Sequence, residues 1–283
     1  MDTQRLPVER FAAADKPAKW IGKRIRNLTK PTKVKEALSG TWLGHPVHPL
    51  LTDVSIGTWT SAVLLDWLGG DDAEPGADRL VLAGLAASAP TIAAGWNDWA
   101  DAEPASDAVR RVGLVHAAFN ATGVALMASS LAARAAGDRG RGRLLALVGI
   151  GAVTGGGWLG GHLTYAKAVG VDQTVFERYP EDWTPALADA ALGEAESRKV
   201  ELNGVDILLA RWHGEVYALA NTCVHRGGPL DEGELNDGCV TCPWHQSTFR
   251  LSDGQLERGP GPYPQPSLET RIKDGSIEVR VPP

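Results

Sequence analysis

The sequence predicts two domains of opposite class in one chain, a bundle of four membrane-spanning helices followed by a small all-β domain. Three observations carry that prediction. Residues 80–97, 112–133 and 144–166 are free of charged side chains, and each run is long enough to cross a hydrocarbon core of ~30 Å at a rise of ~1.5 Å per residue. Beyond Asp172 such runs cease, and X-Gly pairs separate short stretches of strand character. A length of 283 residues with 43% apolar and 22% charged residues fits about two ordinary domains and excludes a disordered or fibrous chain.

Charge divides the chain in the same way. Residues 1–49 carry ten Lys and Arg against four Asp and Glu, residues 50–173 carry eight against twelve, and residues 174–283 carry ten against eighteen. The ends therefore differ in sign. A uniformly basic nucleic-acid binder is excluded and no nucleic-acid partner is expected, whereas a basic head suits a lipid bilayer surface. Three cysteines, an odd number, exclude a closed disulfide framework.

Residues 1–40 read as a basic amphipathic segment. The opening MDTQRLPVERFAAADKP lacks the apolar core of a secretory leader, so no cleavage is expected. In residues 18–29, Trp20, Ile21, Ile25 and Leu28 recur at near-helical spacing among Lys19, Lys23, Arg24 and Arg26. That pattern suits a basic helix on a membrane surface, with a solvated helix packed on its own protein as the alternative.

Residues 41–173 read as the four-helix membrane domain. Residues 50–68 supply its first helix, although Asp53 and Asp66 stand near the two ends. The connections GGDDAEPGADR, DWADAEPASDAVRR and RAAGDRGRGR are short, polar and rich in turn formers. Helix four carries Gly151, Gly155, Gly156, Gly157, Gly160 and Gly161, and small residues at such spacing let helix backbones approach closely in lipid. In an up-down-up-down topology, His45, His48, His116 and His162 gather at one face with Asp53, Asn97, Asp98 and Asn120. Singly, each reads as an interfacial residue satisfying a helix end. As a set, ionisable groups in membrane helices mark a site, and His48, His116 and His162 are candidate ligands of haem b or a metal ion, or lining for a quinone.

GHPVHPLLTDVSIGTW, the His116-x-x-x-Asn120 pair and WLGGHLTYAKAVGVD resemble the bacterial membrane family called domain of unknown function 2231, over roughly residues 41–173. The resemblance implies a four-helix integral membrane unit and leaves its chemistry open. The family's basic, histidine-bearing sequence after the last Tyr is here Ala166-Lys167-Ala168, so no ligand carries over at that point. Lys and Arg are denser on the face bearing the N-terminus, which adds Arg110 and Arg111 to the basic head, than on the face with Arg79, Arg134, Arg139, Arg141 and Arg143. Both termini and the β domain are therefore expected on the cytoplasmic side of a bacterial cell membrane.

Residues 174–195 read as an acidic, Ala-rich linker and residues 196–283 as the β domain. Asn203-Gly204, His213-Gly214, Asp237-Gly238, Asp253-Gly254 and Asp274-Gly275 suit tight hairpin turns, and VDILLAR, EVYALA, CVTC, LETRIK and SIEVRV between them read as strands. Within this domain, Cys223-Val224-His225 is followed, sixteen residues on, by Cys242-Pro243-Trp244-His245. Two thiols and two imidazoles suit tetrahedral zinc, or a binuclear iron cluster with two thiolates on one iron and two imidazoles on the other. Zinc sites typically pair like ligands, whereas here unlike ligands are interleaved.

With NTCVHRGGPLDEGEL, CPWHQSTFRLSDGQLERGP and the closing SIEVRV, the domain resembles Rieske ferredoxins over about residues 196–283. The resemblance implies a 2Fe-2S cofactor with Cys223, His225, Cys242 and His245 as ligands. Gln246 departs from the Gly usual there. Gly228 and Trp244 stand where high-potential members carry a disulfide, which implies a potential toward the low end of a range of roughly −150 to +300 mV. Cys239 reads as a small strand residue and His213 as an exposed turn residue.

Such a centre moves one electron at a time. Rieske oxygenases add a non-haem iron held by two His and a carboxylate, but only 38 residues follow His245 and none is His. An oxygenase catalytic subunit is therefore not expected. The expected function is membrane-anchored one-electron transfer with a redox protein donor or acceptor, through a haem or quinone near His48, His116 and His162. The alternatives are a membrane-tethered redox sensor or assembly factor, and a membrane oxidoreductase with its substrate among the helices.

Overall fold

The computed structural model describes residues 6–30 and 32–282. The described residues form two compact units. The first takes the chain before Thr32 together with Pro46–Val169; the second takes Thr32–His45 together with the chain from Gly170 onward. Six α-helices are present rather than the four expected: α1 (Asp15–Leu28), α2 (Thr32–Ser39), α3 (Val47–Leu68), α4 (Glu74–Ala102), α5 (Asp107–Ala135) and α6 (Arg139–Gly161). Of the two helices beyond those four, α1 covers the basic amphipathic stretch expected over residues 18–29, and α2 is short and amphipathic, so apolar length does not mark it. Three stretches, Asp71–Ala102, Asp107–Ala135 and Arg139–Ala166, are long and apolar enough to cross a membrane. Their helices outrun the charge-free stretches because polar residues extend the helical ends beyond hydrocarbon length.

The helical unit turns its large apolar side chains outward and keeps small or paired polar groups inside. Leu50, Leu64, Leu82, Leu144, Val148 and Trp158 are exposed. Inside, the Trp59 indole lies against Gly84 and donates to Val81 O at 3.2 Å, and Val153 lies against Gly123. At one end, buried Arg134 grips buried Asp66, with Nη1 donating to Oδ1 at 2.8 Å and Nη2 to Oδ2, while its Nε donates to Ser130 Oγ at 3.0 Å. At the other end α1 is tied to its own protein: Arg26 donates to Glu103 at 3.0 Å, and Arg111 donates to both Asp15 oxygens at 2.8 and 2.7 Å. Ala18 and Gly22 form the buried face of α1, and Trp20 remains exposed.

The second unit is built of ten antiparallel strands in two sheets. β1 (Thr184–Ala188), β2 (Ser197–Leu202), β3 (Val205–Trp212), β4 (Glu215–Ala220), β9 (Ser267–Lys273) and β10 (Ser276–Arg280) make a six-stranded sheet in the order β1-β10-β9-β4-β3-β2. β5 (Glu234–Asn236), β6 (Cys239–Thr241), β7 (Thr248–Arg250) and β8 (Leu256–Arg258) make the other, in that order. At four of the expected turns both central residues have positive φ, as at Asn203 and Gly204 (55° and 81°) and at Asp274 and Gly275 (51° and 76°). That geometry matches the right-handed twist of two-residue hairpins. The fifth pair, Asp253-Gly254, lies in the wider β7–β8 connection. The stretch expected to be a linker contains β1, which pairs with β10 at the sheet edge. Its Pro185 and acidic, Ala-rich surroundings conceal an edge strand from pattern reading. The core between the loops gathers Leu208, Leu219, Val240 and Phe249 around Cys223 and Cys242.

Candidate iron-sulfur site

Two loops bring the Cys-His motifs together. The first follows β4 and closes on itself: Cys223 N–H donates to Gly228 O at 2.9 Å and Gly227 N–H to Cys223 O at 2.8 Å. Its base is fixed by Asn221, whose Nδ2 donates to Asp231 Oδ1 at 2.6 Å while its Oδ1 accepts Asp231 N–H at 2.8 Å. The second joins β6 to β7. There Cys242 N–H donates to Ser247 O at 2.8 Å and Gln246 N–H to Cys242 O at 3.1 Å.

The loops place like ligands opposite each other although the sequence interleaves them. Cys223 and Cys242 are both buried and share a hydrogen bond. That bond pushes the Cys223 thiol up, aided by burial, and brings Cys242 down to about 7, where backbone N–H groups of Trp244 and His245 help against its burial. The His225 and His245 rings meet edge to face, with centroids 4.9 Å apart at 88°. Burial and the charges of Arg226, His245 and Lys35 push the His225 imidazole well below its ordinary value, so it stands neutral with a lone pair for a metal.

Two facing thiols and two facing imidazoles fit a two-iron cluster. Cys239 stands apart, half-buried in β6 opposite Arg250.

Sequence reading missed what braces these loops. Gln265, only 1% exposed, accepts Val224 N–H at 3.1 Å through Oε1, and its Nε2 donates to Ala220 O and Thr222 O at 2.9 and 2.7 Å. It ends the Pro/Gly-rich run GPGPYPQ, a composition that signals a shaped loop but names no contact. Ser247 Oγ accepts Gly261 N–H of that run at 3.0 Å.

The helical histidines each have a polar neighbour within the helical unit. His48 Nδ1 lies 2.9 Å from Thr91 O, His116 Nδ1 lies 2.7 Å from Gly156 O, and His162 Nε2 lies 3.1 Å from Glu9 Oε1. One nitrogen of each ring thus has a hydrogen-bond neighbour of its own in the helical unit. His45 leaves the set altogether. It belongs to the second unit, edge-on to Tyr263 at a centroid distance of 5.6 Å. Helix-end counting cannot show this, because the GHPVHP turn passes from one unit to the other.

A two-sheet antiparallel domain whose paired loops oppose two thiols and two imidazoles is an iron-sulfur electron-transfer domain. The family described as the Rieske 2Fe-2S domain matches residues 182–269, and the one described as predicted membrane protein (DUF2231) matches residues 44–173. The anthranilate 1,2-dioxygenase ferredoxin subunit of Burkholderia cepacia is 32% identical over 100 residues, covering 35% of this chain and 93% of that protein. Apoptosis-inducing factor 3 of Mus musculus is 37% identical over 89 residues, which is 31% of this chain but only 15% of that protein. A solved complex of reduced oxygenase and oxidized ferredoxin in carbazole 1,9a-dioxygenase aligns at 26% identity and a TM-score of 0.34, over 35% of this chain and 92% of that one. The chain belongs to the Rieske 2Fe-2S family and carries in front of that domain a helical domain of the DUF2231 membrane family.

Proposed function

We propose that this protein is a membrane-anchored one-electron carrier in which Cys223 and Cys242 hold one iron of a 2Fe-2S cluster and His225 and His245 hold the other. The observation that carries the reading is the meeting of a buried thiol pair and an imidazole pair from two short loops. Bound there, the cluster supplies one-electron oxidation and reduction. The protein's own groups do the rest. Backbone N–H groups at Trp244 and His245 stabilise sulfur charge at Cys242, the neutral His225 ring offers its lone pair, and Gln265 keeps the first loop from shifting between redox states.

α3 is proposed as a fourth membrane span, its Asp66 charge neutralised by Arg134, with both termini cytoplasmic by the Lys and Arg distribution. Since the relatives include ferredoxin subunits of dioxygenases, the partner is proposed to be a redox protein. Anaerobically purified, detergent-solubilised protein should show a Rieske-type EPR signal that appears on reduction. Absence of that signal in iron-loaded protein overturns the reading. Haem bands in the same optical spectra would restore a ligand role for His48 and His116.

A further inference from the structure

We infer that Thr32–His45, a segment lying before the membrane helices in sequence, is a working part of the redox unit: Glu36 and Thr41 position the Gly259–Pro264 loop against the Cys242 loop. The inference rests on the cluster reading above and adds residues far from both ligand motifs.

Gly259 is the point of contact. Its φ is +102°, and a Cβ there would lie 2.6 Å from Ser247 Cα and 2.7 Å from Gln246 O, so its backbone is flush against the loop that carries Cys242 and His245. Both polar groups of this one residue are taken by the upstream segment: its N–H donates to Glu36 Oε1 at 3.2 Å, and its carbonyl accepts Thr41 Oγ1–H at 2.8 Å. Four residues on, Tyr263 packs against the core that includes Cys223 and Cys242, and His45 holds it edge-on. Two ends of one loop are thus gripped by two ends of one segment.

The test is an EPR-monitored redox titration of full-length protein in detergent. Thr41→Val and Glu36→Ala should each shift the midpoint and the EPR line shape and speed chelator-driven bleaching of the cluster absorbance, and Thr41→Ser, which keeps the hydroxyl, should restore all three. Failure of Thr41→Val to hold iron, with iron restored in Thr41→Ser, supports the same role. Wild-type midpoint, line shape and bleaching in Thr41→Val and Glu36→Ala overturn the positioning role, with the cluster reading intact. A wild-type protein without a Rieske signal overturns both.

Discussion

The Trp244 ring lies against Gly228 so closely that a Cβ on the glycine would stand 3.1 Å from Trp244 Cγ and 2.8 Å from the Cys242 sulfur. These are the two positions that a disulfide would occupy in the high-potential members that the domain resembles. In place of the cross-link, an aromatic ring braces the first loop from the second and leaves its outer part half exposed, at 52%. The tight fit carries a prediction. Gly228→Ala must displace Cys242 Sγ or Trp244, a strain of about 1–3 kcal/mol in a packed interior. The iron content per protein should fall, and the visible spectrum should shift. Full iron with an unchanged spectrum would show that the loop gives way at no cost.

In the helical unit, the Arg134–Asp66 pair is the most deeply buried ion pair described, with side-chain exposures of 1% and 0%. Removing Arg134 leaves buried Asp66 only its longer contacts to Arg139 at 3.8 Å and Arg143 at 4.0 Å, a loss of up to about 3–5 kcal/mol, whereas replacing both partners by apolar groups of similar volume is closer to neutral. Arg134→Met should therefore lower the melting temperature in detergent well beyond Arg134→Met combined with Asp66→Leu. If the double variant is less stable than the single one, the pair contributes through geometry that apolar groups do not replace.

Much of this architecture is legible in the sequence because its signals are local. Four X-Gly pairs set hairpins through backbone conformation alone, and the charge-free runs mark helix by length. The Cys-His spacing marks the loops of the candidate site, yet what holds those loops is invisible: Gln265 acts through three backbone groups, and Glu36 and Thr41 act on Gly259 from more than two hundred residues upstream. Pattern reading sees neighbours in sequence, and these partners are neighbours only in the fold. The histidines of the helices show the same limit from the other side, because shared helix ends do not determine what each ring bonds.

Glu9 gives a pH test. Burial opposes its ionisation, but hydrogen bonds from Lys167, His162 and Leu6 N–H outweigh burial and hold the carboxyl below its ordinary value of 4.5. A carboxylate with a depressed folded pKa contributes stability that is complete above the unfolded pKa and is lost as pH falls through the folded one. Glu9→Gln removes the charge and keeps the size. Its melting temperature should lie below wild type at neutral pH, and the gap should close as pH falls below about 4.5. A gap independent of pH would mean that the side chain acts through packing alone.

The backbone at the residue after the last candidate ligand accounts for the Gly usual there and leaves Gln246 strained. Gln246 has φ of +66°, in the left-handed region where a side chain crowds the following carbonyl and glycine does not. Its Nε2 reaches Cys242 O only at 3.5 Å, too long for a bond that would offset the strain. Gln246→Gly should therefore stabilise the loop by about 1–2 kcal/mol, less the entropy that glycine restores to the unfolded chain. Because Cys242 and His245 keep their backbone bonds, the EPR line shape should stay as in wild type while the cluster resists thermal bleaching longer. Faster bleaching would show that the Gln246 side chain, and not the backbone it strains, shields the cluster.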